Sequence, residues 1–524
     1  MVQLLNLNNK KDLDLNFLNE KLINLENILK KNEIYNENEF KNWFNDFKKI
    51  YGNKQVTIQL YIVFALLYFI GHSFISKYIL LNNDLFSNHR YTLKRLINVE
   101  RKVESIYKNL KIFDLKYFKP LISLLEKEEI SIFYELIEIV SNYIFKSKIK
   151  PEYYFDYLIQ KIISPNIRHK SGEYYTPSFL VKKMTNDSYS FGDSTLDPCC
   201  GSGNFLIEVI KYILSQNKSK KEKIAAINKV YGFDINPISI YISKINFLYL
   251  LKNLETTFLL NLYIFDSLFQ RREDFNDKFD LIIGNPPWYT YRDIESLDYQ
   301  EKVKNLAEEL EIKPLPKNIL NLEISTLFFV RVMKTFLKNG AKIFFVITKG
   351  VITGSHTSRF RNFRNISNPR IWMFDKQIEK IFNIDFICLF GQKSEGLKKS
   401  NEEFKSYHFT LRREKSNLDY FDSANLELEY VDTLIPYSIE KKGGKTYIKK
   451  LISKQREATE EESVDFDRFK LLIENIDNLK RHLERRTSYS YSSDNRVDNK
   501  TLKFTIDKKT YNKNLKIIDE ELLN

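Results

Sequence analysis

The chain has 524 residues and a mass of 62.6 kDa, enough for two or three domains with substantial cores. Its 82 Lys and Arg residues against 68 Asp and Glu give a net charge of +14, which favours a polyanionic partner such as nucleic acid; an ordinary basic surface is the alternative. Three cysteines, Cys199, Cys200 and Cys388, exclude a disulfide framework and a zinc site of usual spacing. We therefore expect a cytoplasmic protein with no metal.

Residues 1–165 are predicted to form a helical domain, because apolar residues recur there every three to four positions and glycine is rare. The apolar run 60–70 is interrupted by Gly71, His72 and Ser73, well short of a membrane span. The first residues lack the pattern of a signal peptide. The sequence thus predicts a buried helix at 60–70 and no membrane association.

Residues 166–395 alternate short apolar runs with longer helical patterns, which is typical of an α/β domain with a parallel sheet. The predicted strands are 194–196, 230–233, 260–265, 279–283 and 342–347. Residues 396–524 are more polar, and we expect a mostly helical or mixed region there. It includes one amphipathic helix between Phe466 and Leu483.

A glycine-containing turn follows the first predicted strand and leads into a helical pattern. It contains Asp197, Gly201, Gly203, Asn204 and Phe205. Glycines in such a turn let a ligand lie close to the backbone. The turn lacks the third glycine of a dinucleotide site and the Gly-Lys-Ser/Thr of a phosphate loop, so neither a nicotinamide cofactor nor ATP is favoured. An ordinary tight turn is the alternative.

Polar side chains also follow the next three strands. Asp234 ends the second strand, where an acidic residue suits the two hydroxyls of a ribose, although helix capping is the alternative role. Asp266 ends the third, where it suits a base amine, and Asn285 ends the fourth. Because the carboxyl ends of parallel strands share one edge, we expect these side chains to face one crevice.

The tetrapeptide Asn285-Pro286-Pro287-Trp288 follows the fourth strand. Each proline fixes its own φ and holds the preceding residue extended, so the Asn285 carboxamide and the Pro286 carbonyl point in fixed directions. Two acceptors beside the flat ring of Trp288 suit a planar ligand with an amino group, such as adenine. A loop that merely ends the strand is the alternative.

Together these motifs resemble those of N6-adenine DNA methyltransferases of the gamma motif order, from type I modification subunits to type II and fused type IIG enzymes. The segment Gly172-Glu173-Tyr174-Tyr175-Thr176-Pro177 resembles their first cofactor motif, and the turn from Asp197 to Phe205 and the 285–288 tetrapeptide resemble the next two. The resemblance covers roughly residues 155–395.

The resemblance implies a Rossmann-like fold that binds S-adenosylmethionine. It places Tyr174, Tyr175, Thr176 and Pro177 at the methionine end, Asp234 at the ribose and Asp266 at the cofactor adenine. It implies site-specific methylation of the N6 amine of an adenine flipped out of DNA, in a restriction-modification system. Residues 396–524 would then be a partial target-recognition or subunit-docking segment, with a separate specificity or restriction subunit as a possible partner.

Three other interpretations stay open. Glu39 and Lys41 have the Glu-x-Lys spacing of a metal-dependent nuclease, which would make the chain a fused type IIG enzyme, but no Pro-Asp pair precedes them. An Asn-Pro-Pro-aromatic motif also suits a protein glutamine amide or RNA. The chain would otherwise be a non-enzymatic DNA-binding subunit. The basic cluster 359–364 is a candidate contact for the DNA backbone, or else a solvated face.

Overall fold

The computed structural model describes residues 15–80, 93–106, 116–126, 131–147, 149–163, 167–168, 176–254, 258–357, 359–374, 378, 382, 384–397, 404–411, 426–434, 437–442, 445–450 and 455–457. The chain divides into two compact units, Met1–Pro436 and Tyr437–Asn524. The division predicted at residues 165 and 395 stays a prediction.

Helices make up the described part of the first 163 residues, as the periodicity predicts. They are α1 (Leu15–Lys31), α2 (Asn38–Tyr51), α3 (Ile58–Phe74), α4 (Leu93–Ile106), α5 (Lys119–Glu126), α6 (Ser131–Phe145) and α7 (Tyr154–Ile162). A π-helical turn, Ile75–Ile79, extends α3.

Helix α3 is the central helix of this layer. It is apolar on all sides, and its N-terminus is capped by the Thr57 hydroxyl, which accepts a hydrogen bond from the Leu60 N–H at 3.2 Å. The stretch Ile58–Ile79 is long and apolar enough to cross a membrane, but 89% of its most apolar window is buried within the protein. The prediction of a buried helix at 60–70 is confirmed.

A nine-stranded sheet follows in the chain, and it confirms the predicted α/β class. Its strands in sequence order are β1 (Thr195–Asp197), β2 (Val230–Asp234), β3 (Asn261–Ile264), β4 (Phe279–Gly284), β5 (Leu337–Thr348), β6 (Ile366–Phe374), β7 (Phe386–Lys393), β8 (Phe404–Leu411) and β9 (Leu426–Leu434). Their order across the sheet is β3-β2-β1-β4-β5-β7-β6-β8-β9.

Neighbouring strands from β3 to β5 are parallel, whereas β7 is antiparallel to both β5 and β6. From β1 the chain proceeds outward through β2 and β3 on one side, and it returns to the other side through β4 and β5. The connection that follows β1 and the connection that follows β4 therefore run in opposite directions across the sheet. A crevice opens between them at the carboxyl ends of these two strands. Ligands bind at such a switch point in open α/β sheets.

The remaining helices connect or flank these strands. They are α8 (Ser178–Ser188), α9 (Asn204–Ser215), α10 (Lys220–Ile227), α11 (Pro237–Leu251), α12 (Leu297–Glu309), α13 (Ile324–Phe336) and the short α14 (Gly350–Thr353). Short 3₁₀ turns occupy Ile34–Asn36, Lys116–Phe118, Pro151–Tyr153, Lys252–Leu254, Glu273–Phe275, Tyr291–Asp293, Pro316–Asn321, Ser355–Thr357 and Phe360–Asn362.

The N-terminal helices and the sheet layer share one hydrophobic core, since a single cluster of buried residues contains members of both. Helices α3 and α11 meet in this core, where the Tyr241 hydroxyl donates a hydrogen bond to the Tyr68 carbonyl at 2.9 Å. The helical layer is thus fixed against the sheet layer next to the crevice.

Beyond residue 395 the described residues form strands. β8 and β9 continue the large sheet, and in the second unit β10 (Tyr437–Lys442), β11 (Lys445–Lys450) and β12 (Gln455–Glu457) form an antiparallel sheet of three strands. The helix predicted between Phe466 and Leu483 lies outside the described residues.

Candidate active site

One cavity of about 1170 Å³ lies at the carboxyl edge of the sheet. Asp197, Asp234, Asp266 and Asn285, which follow β1 to β4, all line it. Of the other residues named from the sequence, Thr176, Gly201, Asn204, Phe205 and Pro287 also line it. The switch point therefore brings together residues that are more than 100 positions apart in the chain.

The glycine turn has a backbone shape that only small residues adopt easily. Gly201 and Gly203 have φ angles of +53° and +94°, and α9 begins directly after them. Two side chains of helix α11 donate hydrogen bonds to the backbone of the turn. The Ser243 hydroxyl donates to the Gly201 carbonyl at 2.6 Å, and the Asn246 side-chain amide donates to the Ser202 carbonyl at 3.0 Å. The turn is held open toward the cavity, where a ligand can approach its backbone.

A buried carboxylate from the helical layer accepts two hydrogen bonds from the same turn. Asp156 of α7 is 1% exposed, and its two oxygens accept hydrogen bonds from the Ser202 hydroxyl and the Asn204 side-chain amide. No local motif in the sequence points to Asp156, because its partners lie more than 45 positions away. It is a residue that positions the turn.

Asp234 connects the end of β2 to the glycine turn. One carboxylate oxygen accepts the Gly201 N–H at 2.9 Å, and the other accepts the Asn236 N–H at 2.8 Å. Burial raises the pKa of this carboxyl to about 6, although the backbone N–H groups act in the opposite direction. At neutral pH it is an anionic acceptor at the cavity wall, in the place where the sequence predicted a contact with ribose.

Asp266 begins the turn after β3. Its Oδ1 accepts the N–H groups of Leu268 and Phe269 at 2.9 and 3.2 Å. Burial raises the pKa of this carboxyl, and the charge of Lys302, which also lines the cavity, lowers it in part. Asp266 thus offers an acceptor near a cationic side chain of α12.

Asp197 lies deepest, at the junction of β1 and β4. It is 1% exposed and accepts the Cys199 N–H at 3.1 Å, and burial raises the pKa of its carboxyl well above the usual range. A Cβ on Gly284, the residue before Asn285, would lie 2.6 Å from its Oδ1. The glycine turn, which begins after Asp197, and the catalytic candidate Asn285, which follows Gly284, therefore both depend on the close approach between Asp197 and Gly284.

The tetrapeptide after β4 is only partly as predicted. Asn285 and Pro287 line the cavity, but Pro286 and Trp288 are not among the lining residues. The Trp288 indole is 7% exposed and donates to the Val346 carbonyl of β5 at 3.2 Å, and its ring contacts Phe382 and Phe386. The Trp288 indole is therefore anchored in the core of this structure, and its contact with a ligand stays a prediction. Tyr289 and Phe328 line the cavity instead.

The first cofactor motif is described only at its end. Tyr174 and Tyr175 lie outside the described residues, whereas Thr176 is buried at the cavity wall. Pro177 precedes α8, and its carbonyl accepts the N–H groups of Leu180 and Val181. Pro177 and Gly203 are not among the cavity-lining residues, and they shape the backbone beside it.

The basic cluster 359–364 is not one continuous cationic surface. Arg361 is 2% exposed, and its guanidinium donates to the carbonyls of Val351 and Gly354 and to the Thr357 hydroxyl. Arg364 pairs with Glu311. The prediction of a DNA contact is wrong for Arg361, because this side chain bonds the turn after β5.

The nuclease alternative gains no support from the geometry. Glu39 and Lys41 are two positions apart within α2, and side chains at this spacing on a helix point to opposite sides. Among the described residues, no group of three or more His, Cys, Asp or Glu side chains could hold a metal ion.

Residues 152–362, which contain every cavity-lining residue except those of 45–53 and Tyr117, match the family described as N-6 DNA Methylase. This match covers less than half of the chain. It includes Asp156, the glycine turn and the Asn285 tetrapeptide.

Two curated relatives are similar to parts of this chain. The type II methyltransferase M.VspI of Vibrio sp. (strain 343) is 30% identical over 159 residues, which is 29% of this chain and 34% of that protein. The type I restriction enzyme MjaVII methylase subunit of Methanocaldococcus jannaschii is 30% identical over 203 residues, which is 38% of this chain and 33% of that protein. The match thus spans about one third of the length of each relative.

Among solved structures, the cryo-EM structure of a DrdV–DNA complex has a TM-score of 0.47 and 14% sequence identity, and it covers 75% of this chain and 42% of that chain.

Proposed function

We propose that this chain transfers a methyl group from S-adenosylmethionine to the N6 amine of adenine in DNA, as the modification enzyme of a restriction-modification system. The observation that carries the proposal is the meeting of Asp234, Asp266 and Asn285 with a glycine turn in one cavity, all within the segment that matches the N-6 DNA Methylase family. The three side chains supply acceptors for a ribose, a base amine and a second amine; along the sheet edge Asp266 comes first, then Asp234 and then Asn285.

The described residues fit such a cofactor. Gly201 leaves the turn open to close approach, Gly203 lets the turn pack against α11, and the Asp234 carboxylate is an acceptor for ribose hydroxyls. Asp266 would hold the adenine amine, and Thr176 the methionine end. When bound, S-adenosylmethionine supplies an electrophilic methyl group on a sulfonium centre.

Asn285 would act on the target amine. The exocyclic nitrogen of adenine is a weak nucleophile because its lone pair is delocalised into the ring. When the Asn285 carboxamide oxygen accepts one of its N–H groups, the lone pair is drawn toward nitrogen; the Pro286 carbonyl, which does not line the cavity in this structure, would accept the second. The same fixed dipoles stabilise the positive charge that this nitrogen acquires. A neutral amide suffices, since the proton leaves after the new bond has formed.

The target base has to leave the DNA stack to reach Asn285. Since the Trp288 indole is held by β5, other aromatic side chains that line the cavity are the candidates for stacking, among them Tyr289, which follows the tetrapeptide directly, and Phe328. Stacking on one of them would contribute about 1–3 kcal/mol toward the cost of extruding the base.

DNA is the proposed substrate and partner, in keeping with a net charge of +14. A separate specificity or restriction subunit is a further proposed partner, which residues 396–524 would contact or partly replace. Cytoplasm is the proposed location, in keeping with three cysteines that cannot make a disulfide framework.

The decisive experiment is transfer of labelled methyl to unmethylated DNA by the purified chain, with the modified nucleosides separated afterwards. We expect label in N6-methyladenine. Asn285→Ala should lower the rate at least about 100-fold, because it removes an acceptor that stabilises developing charge. Its cofactor affinity should stay within about twofold of the wild type, because the cofactor acceptors Asp234 and Asp266 are unchanged.

Asn217→Ala is the matched control, because Asn217 is exposed and does not line the cavity. Label in methylcytosine would contradict the adenine assignment. Label in protein but not in DNA would overturn the proposal.

A further inference from the structure

The N-terminal helical layer contributes one wall of the cavity. Besides the sheet edge, the lining includes residues of 45–53, at the end of α2 and in the turn after it, together with Tyr117. Neither the glycine turn nor the tetrapeptide accounts for this wall, and segment 45–53 lies outside the residues that match the methylase family.

The helical part of segment 45–53, which ends at Tyr51, is fixed in the core. Tyr51 is 5% exposed, and its ring packs against Phe47 and Phe64. Its hydroxyl accepts a hydrogen bond from the Asn236 side-chain amide at 2.9 Å. Because Asn236 is two positions from Asp234, this contact places the segment beside the proposed ribose site.

The turn that follows Tyr51, Gly52–Asn53, makes an exposed contact with another part of the chain. The Asn53 N–H donates to the Glu295 carboxylate at 3.0 Å, across 242 positions of sequence. Glu295 lies between the tetrapeptide and α12, and it lines the cavity as well. Gly52 permits this contact: its φ is +79°, and a Cβ there would lie 2.7 Å from the Glu295 carboxylate.

We propose that segment 45–53 closes the adenosine end of the cofactor site, and that the Asn53–Glu295 contact is the latch at which the Gly52–Asn53 turn opens to admit and release the cofactor. The inference rests on the proposed function, since it takes the ligand to be S-adenosylmethionine. The turn opens at Glu295 because that hydrogen bond is exposed, whereas the Tyr51–Asn236 contact is buried and keeps α2 in place. Glu295 and Gly52 are positioning residues that set the rate of exchange.

The test is the dissociation rate of S-adenosylmethionine from the full chain, measured by rapid mixing. Glu295→Ala should raise this rate about fivefold, the effect of losing one hydrogen bond of ordinary strength. Gly52→Ala should raise it at least as much, because its methyl group meets the carboxylate and its backbone is strained. Glu295→Gln keeps an acceptor oxygen and should release the cofactor at nearly the wild-type rate.

Glu301→Ala is the matched control, since Glu301 is an exposed carboxylate on α12 that does not line the cavity. Amide hydrogen exchange gives a readout that a general loss of stability would not reproduce. Cofactor should slow exchange of the Asn53 amide in the wild type and in Glu301→Ala, but not in Glu295→Ala.

Two results would overturn the inference, and they differ. If the wild type binds S-adenosylmethionine while Glu295→Ala releases it at an unchanged rate, the latch is wrong and the proposed function stands. If the wild type binds no S-adenosylmethionine, both the proposed function and the latch fail.

Discussion

Replacement of Asp156 tests whether the helical layer shapes the cofactor turn. Asp156→Ala removes the acceptor of two buried donors, the Ser202 hydroxyl and the Asn204 amide. A buried donor that loses its acceptor costs about 1–3 kcal/mol, so the turn loses roughly 2–6 kcal/mol unless it moves toward water. If the turn moves, the free energy of cofactor binding becomes less favourable, and each 1.4 kcal/mol of that loss weakens the affinity for the cofactor about tenfold.

We therefore expect the dissociation constant for S-adenosylmethionine to rise on the order of 10- to 100-fold in Asp156→Ala, and the melting temperature to fall. Titration calorimetry and thermal denaturation measure the two effects. Asp156→Asn is the matched variant. Its oxygen can accept from Asn204 while its NH₂ donates to the Ser202 oxygen, so we expect a change of at most about 1 kcal/mol. An unchanged affinity and melting temperature in Asp156→Ala would refute the reasoning.

Three other predictions follow from the site. Because burial raises the pKa of Asp234 to about 6, cofactor affinity should fall about tenfold between pH 8 and pH 5 as this carboxylate is protonated. The raised pKa also means that Asp234 favours folding at low pH, so the ligand-free protein should lose part of its stability as the pH rises through 6. A cofactor affinity and a stability that do not change with pH would contradict these two expectations. Arg361→Ala should destabilise the fold by about 2–4 kcal/mol without changing the salt dependence of DNA binding, whereas the exposed Arg359→Ala should reduce that dependence. Gly284→Ala should reduce methyl transfer and cofactor affinity together, since its methyl group would displace Asp197; normal kinetics would rule this crowding out.

The elements of the α/β layer could be predicted because their signals are local. The apolar run before Asn285 is the strand β4, and the pattern around 342–347 is part of β5. The buried helix α3 follows from composition in the same way. The strand ends then indicate one shared cavity, because parallel strands present the same edge.

Side-chain directions set by distant contacts were not predictable in this way. Trp288 turns from the cavity because β5, 58 positions later, offers it a carbonyl. Arg361 is buried because a turn after β5 presents several acceptors to it. Asp156 and Glu295 matter only through partners remote in sequence, and no periodicity or motif identifies them.

Through the hydrogen bond that anchors Trp288, the proposed reaction depends on β5, a strand that contributes no residue to the cavity. None of the 12 residues of β5 lines the cavity, yet its Val346 carbonyl holds the residue that ends the tetrapeptide. The directions of the Asn285 and Pro286 acceptors therefore depend on the register between β4 and β5. A substitution in β5 that shifts this register would lower enzymatic activity. A mutational screen restricted to cavity-lining residues would not include it.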